Sequence, residues 1–244
     1  LRNSSAASDV YKRQVLVLAG PKSRAILQKL TRTDLSNAAF PWLSSQMLEV
    51  GLAPATAFRM NFVGELGWEL HHPIEYQNHI FDAIMAAGAE FGIKPFGIRA
   101  MDAMRLEKSY RLIGTELSIE YAALESGLHR FVHLNKGEFK GRQKLSQWQE
   151  SGFANTMVTL EVHDTTDADV IGGNPIMLPD GEVIGRATGG GYGFRLDKSL
   201  ALAMVRPDLA ATGTELMIDV LDQRLRVTVL KESPYDPDNQ RLQA

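Results

Sequence analysis

The apolar positions of this chain fall into two regimes. Val15 to Ala19 is a short continuous apolar run that reads as a buried strand. Gly20-Pro21 ends it and opens a helix whose apolar members Ala25, Ile26 and Leu30 form one stripe. Ala57 to Val63 reads as a strand, Gly64 and Gly67 bracket a tight turn, and Trp68 to His71 starts the returning strand. Ile80, Phe81, Ile84, Met85 and Phe91 mark an amphipathic helix, with Gly88 and Gly92 near its end. Pro95 to Tyr110 reads as a further helix, apolar at Ile98, Met101 and Met104, and Leu128 to Leu134 as a strand.

After Phe153 the helical period disappears. Thr156–Val162, Val183–Thr188, Ala201–Val205, Leu216–Val220 and Leu225–Leu230 are strand-like runs separated by turns such as Pro179-Asp180-Gly181-Glu182. Short strands at this spacing predict a small barrel or sandwich. The expected class is therefore α+β, with an α+β part followed by a small C-terminal β-barrel. The change falls near Trp148 to Gly152, giving domains over 15–150 and 153–244. Residues 1–14 carry neither period; the run SAASDVYKRQ looks like translated adapter DNA and is set apart from the fold as a non-native segment, which makes the rest an N-terminally truncated fragment.

Composition narrows the chemistry. A net charge of -3 with 26 Lys and Arg, unclustered, argues against nucleic acid as a partner. The apolar runs are too short to cross a membrane. The expectation is a soluble protein, cytoplasmic if its source is bacterial. With no cysteine, disulfides, thiolate metal sites and thiol nucleophiles are excluded. His129 and His133 stand four apart but on a segment that reads as a strand, without an accompanying HExxH glutamate, so no metal is expected. Gly189-Gly190-Gly191-Tyr192-Gly193 lacks the Lys-Ser/Thr of a phosphate loop and reads as a tight turn between barrel strands. Asp102 has arginines three residues away on either side, Arg99 and Arg105, a pattern that ordinarily supports an exposed helix face. Met101 and Met104 read as core.

One stretch stands out: Phe62-Val63-Gly64-Glu65-Leu66-Gly67-Trp68-Glu69. Two glycines allow a turn that displays the Glu65 carboxylate while both flanks stay packed. A carboxylate accepts two adjacent N–H donors at once, as offered by a guanidinium or by a 2-amino-4-oxopyrimidine edge. The plainer reading is a hairpin with a solvated glutamate.

This stretch resembles the Tyr-Thr-Gly-Glu-x-Gly-x-Glu signature of the glycine-cleavage T-protein family, the folate-dependent aminomethyltransferases. Further likenesses follow in order: Gly97 to Lys108, Leu124-Glu125-Ser126-Gly127-Leu128, Phe139-Lys140-Gly141-Arg142, then Gly185 to Gly193 and Lys198 to Val205. Glu107 to Arg111 and Gly114 to Leu117 are similar to the folate-binding C-terminal half of dimethylglycine and sarcosine dehydrogenases. The resemblance implies a partial folate-binding region ahead of the barrel, with tetrahydrofolate as the bound cofactor and FAD in a domain further upstream. It implies Glu65 as the residue that orients the pterin, with Phe62 and Arg105 beside it. Phe62 replaces the signature's Tyr, and Met101 an Arg of the family helix. The family's catalytic Asp precedes the segment matching Val15 to Leu30, so no catalytic residue is nominated in this chain, which is expected to be inactive alone. The implied activity is the oxidation of an N-methyl amine with transfer of the one-carbon unit to tetrahydrofolate as methylene-tetrahydrofolate. A stand-alone aminomethyltransferase or demethylase, and a non-catalytic folate-binding module, are the alternatives.

Overall fold

A computed structural model describes residues 12–164 and 168–244. The 1–14 segment thus lies outside the described residues up to position 11. By backbone contacts the chain divides into two compact units, one running to Met101 and including Asp238–Ala244, the other Asp102–Pro237.

The first unit is built on a four-stranded antiparallel sheet of β1 (Arg13–Ala19), β2 (Ser45–Val50), β3 (Ala53–Phe58) and β4 (Gly67–Pro73), in the order β1-β4-β3-β2. On β4 the alternation is plain: Trp68, Leu70 and His72 are buried, while Glu69 and His71 face the other way. Helix α1 (Ser23–Gln28) and α2 (Gln77–Gly88) complete the core with Ile26, Leu27, Ile80 and Ile84. Helix α2 runs into a 3-10 turn (Ala89–Phe91) and stops at Gly92, which takes a φ of 69° that favours glycine.

Three expectations change here. Strand β1 is not a buried strand: among the described residues it lies at the sheet edge with one neighbour, β4, and leaves Val15 and Val17 exposed. The strand expected over 57–63 runs instead from Ala53 to Phe58. Its hairpin partner β2 escaped notice, since β3 buries only small alanines (53, 55 and 57) and the hydrophobic contrast is weak. The turn bracketed by Gly64 and Gly67 is correspondingly an eight-residue connection, 59–66.

The second unit is centred on a closed barrel, β10-β5-β8-β7-β6-β9, with β9 returning to β10. Its strands are β5 (Thr156–Val162), β6 (Pro175–Met177), β7 (Val183–Gly193), β8 (Lys198–Val205), β9 (Glu215–Val220) and β10 (Gln223–Leu230). Alternate residues such as Leu216, Ile218 and Val220 on β9, and Leu225, Val227 and Val229 on β10, fill the interior. The five expected strands are all present; β6, three residues long, is the sixth that closure requires.

The Gly189–Gly193 run is not a turn but the second half of β7. A Cβ on Gly190 would lie 2.7 Å from the Leu200 carbonyl oxygen and 2.7 Å from Val170 Cβ. The glycines there answer close packing, not chain reversal. Leu128–Leu134 holds a single 3-10 turn (His129–Phe131), not a strand, because among the described residues no strand pairs with it, and Phe131 is exposed. Helix α4 (Arg142–Ser151) was not foreseen; none of its residues is buried, so it carries no apolar stripe to read.

Helix α3 (Ile98–Glu107) contains the division between the units. The expected apolar face is displaced. Ile98 is exposed, Met101 and Met104 are half-buried, and the buried residues are Arg105, Leu106 and Glu107.

Candidate functional site

The Glu65 connection is fixed from within and from behind. Asn61 Oδ1 accepts the Val63 and Gly64 amides at 3.0 and 3.1 Å, and its Nδ2 donates to the Glu65 carbonyl at 2.7 Å. Such short-range bonding by an Asn side chain replaces the strand ladder lost after Phe58. Gly64 holds a φ of 76°. Behind the connection, the Leu66 carbonyl accepts the Gly20 amide at 2.8 Å and the Ser23 hydroxyl at 3.0 Å. A Cβ on Gly67 would stand 2.5 Å from the Leu18 carbonyl oxygen, so β4 crosses β1 there at a separation only glycine permits.

On this frame the Glu65 side chain is 13% exposed, and its Oε2 lies 4.0 Å from Arg241 Nη1. It is therefore not a solvated hairpin tip. Phe62, half-buried, shares the same connection. Arg241 sits on α5 (Gln240–Gln243), which belongs to the first unit although it follows the barrel in sequence. Sequence reasoning missed Arg241, because a pairing between chain-distant residues leaves no local pattern.

An apolar groove of about 570 Å³ runs along β1, α1 and α2, lined among others by Val17, Ile26, Phe81, Met85, Phe91 and Phe96. Glu65 does not line it, but Gly20 and Ser23, which do, are the residues bonded to Leu66.

Arg105 belongs to the second unit and is 3% exposed. Its Nε donates to Asp102 Oδ1 at 2.6 Å and its Nη1 to the Tyr110 carbonyl at 2.9 Å and to Glu116 Oε2 at 3.4 Å. The Asp102–Arg105 pair thus joins a half-exposed carboxylate to a buried guanidinium that continues into the interior, and is more than support for an exposed helix face. Glu116 gathers the Leu112 amide and the Thr115 hydroxyl at 2.8 Å each, together with the Thr188 hydroxyl. Burial on its own pushes the Glu116 carboxyl up; the Leu112 amide, the Thr188 and Thr115 hydroxyls and then Arg105 outweigh it, and its pKa falls below the ordinary value. The residues that follow along the chain are equally bound. Glu107 accepts the Arg195 amide at 2.6 Å, and Lys108 Nζ donates to the carbonyls of Tyr235 and Asp236 at 3.0 and 2.7 Å. Among the described residues no cluster of His, Asp and Glu could hold a metal ion, and no helix is long and apolar enough to cross a membrane.

Two family models account for most of the sequence: the GCVT N-terminal domain over residues 5–136, and the glycine cleavage T-protein C-terminal barrel domain over residues 155–236. The chain belongs to the glycine-cleavage T-protein family. It is 40% identical to dimethylglycine dehydrogenase, mitochondrial, of Homo sapiens, over 94% of this chain and 27% of that protein. It is 33% identical to sarcosine dehydrogenase, mitochondrial, of Mus musculus, over 93% and 25%. With the aminomethyltransferase of Moorella thermoacetica the identity is 35%, over 88% and 58%. The chain thus spans about a quarter of the dehydrogenases and under two thirds of the aminomethyltransferase. The crystal structure of glycine cleavage system aminomethyltransferase T from Bartonella henselae superposes with a TM-score of 0.79 at 21% identity, covering 92% of this chain and 60% of that one, which shows the shared T-protein fold.

Proposed function

We propose that this chain is the folate-binding portion of a flavin-dependent dehydrogenase of dimethylglycine or sarcosine type, with residues 15–150 forming the partial folate-binding region and 153–244 the barrel. The observation that carries the reading is the Glu65 carboxylate, largely withdrawn from water on a connection bonded from within by Asn61 and from behind by Gly20 and Ser23. A rigid, shielded carboxylate of this kind suits the paired N–H edge of a pterin, because a bidentate bond gains strength where water is excluded. The identity to dimethylglycine dehydrogenase favours the subgroup.

In this reading Glu65 accepts the 2-amino and ring N–H donors, and Phe62 offers an apolar surface where the family signature has a phenol. Arg105 is proposed as a third folate-holding residue on the family resemblance alone. Tetrahydrofolate held there would supply a nitrogen nucleophile for the one-carbon unit, and FAD bound upstream would supply the oxidation of the N-methyl amine. The residues of this chain orient that nucleophile and keep water from the electrophile. The likeness to aminomethyltransferase supports a second reading, a folate-dependent transferase without flavin.

The test uses the complete polypeptide that carries this chain. Calorimetric titration with tetrahydrofolate should give saturable binding, and the visible spectrum should show bound flavin. Binding without flavin selects the transferase; no folate binding overturns both readings.

A further inference from the structure

Residues 238–244 are held to the first unit by side chains that read their backbone. The Arg59 guanidinium, 1% exposed, donates from Nη1 to the Phe40 carbonyl at 2.7 Å. Its Nη2 reaches the carbonyls of Gln243 at 3.3 Å and Ala244 at 3.1 Å. Arg24 is braced by the Leu35 carbonyl at 2.9 Å and Asn37 Oδ1 at 2.7 Å, and donates from Nη2 to the Ala244 carbonyl at 2.7 Å. Asn37 Nδ2 adds a bond of 3.1 Å to the Gln243 carbonyl. Leu242, 3% exposed, is the apolar anchor of the same turn.

The energetics make this a latch. A helix of four residues has no stability of its own, so α5 stays where its contacts put it. The carbonyls at its end have no partners within the helix, and three side chains supply them. Arg59 and Arg24 converge on one oxygen; burial first, and then the charge of Arg24, lowers the Arg59 pKa. The shared carbonyl acceptors offset that cost, and release of the segment would leave a desolvated guanidinium short of acceptors. The latch has one consequence for the candidate site: it holds Arg241, on the same turn, 4.0 Å from Glu65.

We propose that Arg24, Arg59 and Asn37 are positioning residues for the folate site, locking the turn at 240–243 so that Arg241 stands against Glu65. The proposal rests on the reading of Glu65 as the pterin-holding carboxylate. The three latch residues act on the ligand through Arg241. Without the latch the segment swings away, Glu65 loses the cation beside it, and its surroundings open to water.

The experiment titrates tetrahydrofolate into the complete polypeptide, alongside tryptic cleavage after Arg241 and thermal unfolding. Arg24→Ala and Asn37→Ala are chosen because Arg59 is buried and its removal could prevent folding. Each should raise the Kd about tenfold, the scale of one charge-assisted hydrogen bond, and speed cleavage after Arg241. The double variant Arg24→Ala/Arg241→Ala should bind no more weakly than Arg241→Ala, since residues acting through one another are not additive. A brace that is merely structural would lower the unfolding temperature and leave the Kd in place. Unchanged Kd in both single variants of a protein that binds tetrahydrofolate, or additive losses in the double variant, overturns the latch. Failure of the unmodified protein to bind is seen before any variant is made and overturns the folate reading, taking the latch with it.

Discussion

Arg105 and Glu116 face each other at 3.4 Å with side chains 4% and 0% exposed, an ion pair sealed inside the second unit. Its value lies in completeness. Glu116 takes donors from Leu112, Thr115 and Arg105 on Oε2 and from Thr188 on Oε1, so both oxygens of the buried carboxylate are paired.

Removing one partner should therefore be costly. Glu116→Ala leaves the buried Arg105 charge with only the half-exposed Asp102 as counterion, and a loss of about 3 kcal/mol, at the lower end for a broken buried pair, is expected. Replacing both, as Arg105→Met with Glu116→Leu, should recover a large part of that. Urea unfolding of the four proteins checks the coupling; an additive result would show that the pair does not act as a unit.

The same carboxylate sets an acid limit. Its folded pKa lies below the ordinary value of 4.5, so the stability it contributes is present above that value and disappears as pH falls through the folded pKa. Unfolding free energy should decline on acidification below about pH 4.5, and Glu116→Gln should flatten that decline. Denaturation curves from pH 6 downward, on the order of half a unit apart, measure the slope.

For the ligand site, Glu65→Ala should weaken tetrahydrofolate binding by roughly 2–5 kcal/mol, the range for truncating one partner of a buried charged pair. Its unfolding temperature should change little, because the connection is fixed by Asn61, Gly20 and Ser23 and not by the carboxylate. Calorimetry gives the first number and differential scanning the second.

Two neighbouring glycines should respond differently to alanine. Gly190→Ala would press a Cβ to within 2.7 Å of both a backbone oxygen and Val170, and a loss of about 1–3 kcal/mol is expected. Gly189→Ala meets nothing nearer than Arg105 Nη2 at 3.9 Å and should be nearly neutral. Equal effects in thermal unfolding would contradict the strand packing described for β7.

Much of this architecture was legible because period and burial coincide. Leu216, Ile218 and Val220 alternate in sequence and point into the barrel in space. The Glu65 stretch was legible because its glycines are spaced for backbone reasons that Gly64 and Gly67 bear out. Other parts carried no such signal. Helix α4 buries nothing, β6 is shorter than one alternation, and alanines make β3 look neutral. The Gly189–Gly193 run misled because glycine serves both chain reversal and close approach, and only neighbours in space tell the two apart. Arg105 read as a surface partner of Asp102, since i,i+3 spacing says nothing of what lies over the helix. The approach of Arg241 to Glu65 depends on the chain returning to its first unit after the barrel, which no window of residues reveals.

Trp68 is fully buried, with Phe40 edge-on at 6.2 Å and the guanidiniums of Arg24 and Arg59 at 5.8 and 5.9 Å from its ring, and its indole N–H finds no acceptor among the described residues. Trp42 is half-buried and Trp148 exposed. The protein therefore carries a native optical gauge: the shortest-wavelength component of its indole fluorescence originates beside the two arginines that grip the 238–244 segment, and any detachment of that segment should be visible as a change in colour or quenching without a label.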